Sequence, residues 1–142
     1  MTGATRSFLG FDFGTRRIGV AVGQELTRTA EPLTTLHASA GGPDWQAIDR
    51  LVADWRPDAM VVGLPLNMDQ TEHEVTEAAR RFGNQLRGRY NLPVHLVDER
   101  LSSIEAERHL RDSALPKHKR QAREAIDQVA AQLILESWLA QL

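Results

Sequence analysis

One acid stands where an apolar strand should carry hydrocarbon. In Phe8-Leu9-Gly10-Phe11-Asp12-Phe13-Gly14-Thr15-Arg16-Arg17-Ile18-Gly19-Val20-Ala21-Val22, the residues around Asp12 are aromatic, aliphatic or glycine. A carboxylate in such surroundings loses its hydration at high cost unless a cation or hydrogen-bond donor meets it. Asp12 therefore demands a partner. Gly14 and Thr15 open a tight turn, after which Ile18, Val20 and Val22 alternate with Gly19, Ala21 and Gly23 in the period of a second strand. The segment predicts a β-hairpin with an acid near its tip. Its small residues leave room beside the carboxylate for a metal ion or a phosphate backbone.

Asp-x-Gly-Thr on a first hairpin occurs in metal-dependent nucleases of the ribonuclease H type and in actin-like sugar kinases and ATPases. An Asp that merely caps its own turn is the third account. Length separates the first two. With 142 residues, 42% hydrophobic and 25% charged, the sequence predicts one domain over 1–142 with a single core. An actin-like enzyme closes two such domains around its nucleotide and needs a phosphate-binding loop, and the chain shows no Gly-rich loop of that kind. Cysteine is absent, which excludes thiolate metal sites and thiol nucleophiles. No apolar signal core or membrane-length run is present, so the expectation is a cytoplasmic protein with no membrane partner.

Strand and helix signals alternate along the rest of the chain. Pro32-Leu33-Thr34-Thr35-Leu36-His37 reads as a third strand and Gly41-Gly42-Pro43 as a break. Trp45, Ile48, Leu51, Val52 and Trp55 follow Asp44 at helical spacing, and Pro57 ends that helix. The continuous apolar run Ala59–Leu64 predicts a strand covered on both faces, partnered by Pro93–Val97. Between them an amphipathic helix from about Glu72 to Arg89 presents Arg80, Arg81 and Arg87 outward. Ser102 or Ser103 caps a further helix through Arg111, and a final helix runs from about Lys119 to Leu139. The result is an α/β, ribonuclease H-like fold: a mixed five-stranded sheet, three strands in an antiparallel meander plus two parallel, flanked by helices.

In such a sheet acids converge from three places: Asp12, the pair Asp98-Glu99 at the end of the fifth strand, and Asp127 on the last helix. Three carboxylates offer hard oxygen ligands suited to Mg²⁺ or Mn²⁺. Adjacent strand residues point to opposite faces, which leaves open whether Asp98 or Glu99 joins them. The bland account of Asp127 is an ion pair with Arg123 one turn earlier. The net charge of −2 disguises a local basic run of Arg108, Arg111, Lys117, Lys119, Arg120 and Arg123 against the single acid Asp112. Such a run is either a solvated surface or a phosphate-binding one, and its place just before Asp127 favours the second.

Four blocks resemble the YqgF/RuvX family, Holliday junction resolvase-like proteins also described as pre-16S ribosomal RNA nucleases. They are Leu9–Ala21, Val61–Asp69, Val97–Ala106 and Ile126–Ala131, in order and spanning nearly the whole chain. Gln70 before Thr71 and the pair Ser102-Ser103 depart from the family's usual residues in the substrate-facing loop and after Asp-Glu-Arg-Leu. The resemblance implies Asp12, Glu99 and Asp127 as catalytic metal ligands. It implies two-metal phosphodiester hydrolysis in which Asp12 bridges ions roughly 4 Å apart. Thr15, Arg17, Asn67, Arg100, Lys117, Lys119, Arg120 and Arg123 are then the nucleic-acid contacts. The implied partners are nucleic acid, either the 5′ end of precursor 16S rRNA or branched DNA, and ribosomal particles, with the protein a monomer or homodimer. The competing account is a non-catalytic nucleic-acid-binding module that retains the fold.

Overall fold

The computed structural model describes residues 5–39, 41–64, 73–98 and 119–142. Over them the chain forms β1 (Ser7–Phe13), β2 (Arg17–Gln24), β3 (Thr29–Ser39), β4 (Gly42–Pro43), α1 (Trp45–Trp55), β5 (Ala59–Leu64), α2 (His73–Tyr90), β6 (Val94–Asp98) and α3 (Lys119–Leu139). The strands make one sheet in the order β4-β3-β2-β1-β5-β6. β1 to β4 pair antiparallel in succession, while β5 joins β1 and β6 joins β5 in parallel.

The meander and the parallel pair are as expected, but the sheet has six strands rather than five. Gly42-Pro43, read from sequence as a break, pairs with Ala38-Ser39 as a short outer strand. Two residues are too few to show any periodicity. β3 also extends beyond Pro32–His37 in both directions, through Thr29, the buried Ala30 and Glu31 at one end and Ala38 and Ser39 at the other. The expected helix from Ser102 or Ser103 through Arg111 lies outside the described residues.

Alternation divides the core into two layers. Leu9 and Phe11 of β1 pack with Ile48 of α1 and with Phe82 and Leu86 of α2. Phe8, between them in parity, packs on the opposite face with Ile134, Leu135 and Leu139 of α3. Each such side chain contributes roughly 1.5–3 kcal/mol by leaving water. β5 is buried at every position, as a strand sandwiched between helices must be. Helix boundaries follow local chemistry: the Asp44 carboxylate accepts from the Ala47 amide at 3.2 Å to cap α1, which ends in a left-handed Arg56 before Pro57.

α3 is fastened across the sheet by polar groups spaced one turn apart. Thr35 Oγ1 donates to the Glu124 carbonyl at 2.8 Å, and Gln128 Nε2 donates to Thr35 Oγ1 at 3.2 Å. Gln132 Nε2 donates to the Ala30 carbonyl at 3.0 Å, and the Ala30 amide donates to Glu136 Oε2 at 3.2 Å. The last two bonds engage the backbone carbonyl and amide of Ala30 in β3. Together these bonds fix where along the sheet the helix lies, and so where Asp127 arrives.

Candidate metal and nucleic-acid site

Asp12 sits one residue before the end of β1, between two glycines: Gly19 is its antiparallel neighbour on β2 and Gly63 its parallel neighbour on β5. It shares parity with Phe8 and Gly10, the β1 positions that face α3. Gly19 is what lets the helix come close. A Cβ built there would lie 1.9 Å from the Asp127 carbonyl oxygen and 3.0 Å from the Asp127 Cβ. No side chain fits in that space. The bare strand therefore admits the α3 backbone and delivers Asp127 beside the strand neighbour of Asp12.

Asp127 is largely covered, its side chain 16% exposed. Arg17, the first residue of β2 and of the same parity as Gly19, donates from Nε to Asp127 Oδ2 at 2.6 Å. That is the short distance of a charge-assisted bond. Burial pushes the Asp127 carboxyl above its ordinary value, and the guanidinium pulls it part of the way back. The net direction is upward, so burial outweighs the ion pair. Arg123, the partner expected from sequence proximity, is instead exposed to solvent.

A cleft beside this pair is lined by Arg16, Arg17, His37, Arg123 and Glu124. His37 is the cross-strand neighbour of Arg17, and its Nε2 lies 3.2 Å from Glu124 Oε1. Arg16 and His37 escape the sequence reading; for His37 the signal is the pairing of β3 with β2, which sequence alone does not register. Thr15 turns away from this cleft and lines a separate groove with Phe13, Ser39, Arg81, Phe82 and Gln85 on the α2 side. Thr15 and Arg17, grouped in sequence, thus serve different surfaces. Lys119 and Arg120 lie on the first turn of α3. Glu99, Arg100, Asn67 and Lys117 lie outside the described residues.

Two carboxylates whose backbone positions share one face of the sheet, Asp12 and Asp127, fit a hard divalent cation in donor chemistry. Among the described residues no cluster of three or more His, Cys, Asp or Glu is present.

Comparison with known proteins agrees with this architecture. The family described as RuvX, Holliday junction resolvase, matches residues 6–141. A protein of Nitrosococcus oceani, provisionally named a pre-16S rRNA nuclease, is 57% identical over 136 residues, covering 96% of this chain and 88% of its own. One of Azotobacter vinelandii with the same provisional name is 52% identical over 138 residues, covering 96% and 94%. Among solved structures, Thermus thermophilus RuvC in complex with a Holliday junction substrate superposes with a TM-score of 0.54 at 15% identity, over 96% of this chain and 94% of that one. The fowlpox virus Holliday junction resolvase gives 0.54 at 12% identity, over 96% and 99%. At such identities the solved structures establish the ribonuclease H-like fold alone. The sequence matches go further: this chain belongs to the RuvX family.

Proposed function

We infer that the chain is a metal-dependent nuclease that hydrolyses phosphodiester bonds in structured nucleic acid, the 5′ end of precursor 16S rRNA first and Holliday junction-like DNA second. The observation that carries this reading is the convergence of Asp12 and Asp127 at Gly19. The two acids are 115 positions apart in sequence, and the fold places both beside Gly19 on the α3 side of the sheet, where Arg17 meets Asp127. The relatives' provisional names favour rRNA over DNA as the substrate.

Asp12, Asp127 and Glu99 are the proposed ligands of Mg²⁺ or Mn²⁺. His95 and Val97 of β6 lie on the α3 side, His95 stacked on Trp138 and Val97 packed in that layer. Glu99 rather than Asp98 is taken as the third acid from the family resemblance of the Val97–Ala106 block. Bound ions would supply an activated water and a stabilised leaving oxygen. Arg16 and Arg123 then hold backbone phosphates along the cleft, with Arg17, Thr15, Asn67, Arg100, Lys117, Lys119 and Arg120 as further contacts. A ribosomal precursor particle in the cytoplasm is the setting this substrate implies.

The test is cleavage of a 5′-extended 16S precursor fragment and of a four-way DNA junction, each with and without Mg²⁺ or Mn²⁺. Wild-type protein is expected to cut the RNA only with metal, and Asp12→Asn to lose cleavage while keeping its fold and its affinity for the RNA. Metal-independent cleavage, or an active Asp12→Asn, refutes the proposed site. Binding without cleavage by the wild type would identify the non-catalytic module instead.

A further inference from the structure

The geometry points to Arg17 as an internal stand-in for the metal: its guanidinium neutralises Asp127, and a divalent ion competes with it for that carboxylate. This rests on the reading of Asp127 as a metal ligand and adds a residue that opposes loading.

Three observations carry it. Arg17 Nε occupies Asp127 Oδ2 at 2.6 Å, within reach of the oxygen that a hard cation would take. Its side chain is about twice as exposed as that of Asp127, 31% against 16%, so the arginine has the freer access to solvent. Arg17 also belongs to the rim of the basic cleft with Arg16 and Arg123, which gives the displaced cation a solvated surface to occupy. A guanidinium and a divalent cation repel each other strongly when they share one carboxylate in a half-buried site. Arg17 and the ion therefore compete for this carboxylate. Arg17 spares Asp127 from standing as an unpaired buried acid and weakens metal affinity by the free energy of the bond that loading breaks.

Mn²⁺ binding by titration calorimetry, together with Tm in EDTA and in Mn²⁺, separates the possibilities on wild type, Arg17→Gln, Arg17→Lys and Asp127→Asn. Arg17→Gln is expected to melt lower in EDTA, to bind Mn²⁺ about tenfold more tightly, and to show a larger metal-induced rise in Tm. Arg17→Lys, whose ammonium is better hydrated and has no planar fork, should fall between the two. Unchanged or weaker Mn²⁺ binding by Arg17→Gln, with Asp127→Asn impaired, overturns the stand-in role and leaves the ligand assignment intact. Wild-type Mn²⁺ binding by Asp127→Asn overturns the ligand assignment and the stand-in role together. If Arg17→Gln does not fold, Arg17→Lys decides alone: tighter binding than wild type supports the proposal and equal or weaker binding refutes it.

Discussion

At Asp127 two opposing forces act on a single carboxylate. Burial raises its pKa above the ordinary 3.8 and Arg17 lowers it, with burial the larger. An acid with a raised folded pKa favours folding while protonated and loses that contribution as pH climbs from 3.8 through the folded value. At neutral pH the ionised side chain is thus a net liability to the metal-free protein. Asp127→Asn keeps an oxygen acceptor for Arg17 Nε and removes the charge. Its Tm in EDTA at pH 7 is expected to exceed that of wild type, with the difference closing as pH approaches 4, as a calorimetric pH series would record. The acid itself was legible in sequence because a charge on an apolar helix face is costly. Its partner was not: Arg123, four residues away, is the obvious candidate, whereas Arg17 comes from the far end of the chain.

Elements set that geometry through close approach. Gly19→Ala would put a methyl where the Asp127 carbonyl already lies, so α3 must lift from β2. The expected loss is at least about 3 kcal/mol in denaturant unfolding, accompanied by weakened metal binding. α1 and α2 are tied by milder means. Asp49 accepts from Arg89 Nε and Nη2 at 2.8 and 2.7 Å and from Tyr90 Oη at 2.6 Å, which holds its pKa down to about 2. A lowered pKa stabilises above the ordinary carboxylate value and the effect fades as pH falls towards 2. Asp49→Asn should therefore lower Tm modestly at pH 7, since the pair is solvent-exposed, and by less at pH 3. The elements themselves were largely readable: Asp44 starts α1, and α3 runs over the Lys119–Leu139 span anticipated from its apolar spacing. β4 and the ends of β3 were hidden because two residues, or one buried alanine between exposed polar neighbours, are too short a stretch to show a hydrophobic repeat.

Across the whole molecule a net charge of −2 masks a basic cleft, so nucleic-acid affinity depends on where the charges lie. Arg16→Gln with Arg123→Gln is expected to flatten the dependence of log affinity on log salt by roughly 0.7–0.9 per lost phosphate contact, measured by fluorescence anisotropy on RNA. An unchanged slope would return both residues to plain surface. Topology adds a constraint in time. Asp12 lies in the first strand and Asp127 in the last helix, and only the docking of that helix against Gly19 joins them. Such long-range closure is slow to form compared with local contacts. During translation, a nascent chain that already displays its hairpin still lacks the second carboxylate. A protein whose proposed target is an immature ribosome would thus be synthesised inert beside mature ones, with its proposed pair of metal-binding acids assembled only once the helix that carries Asp127 has been made and docked.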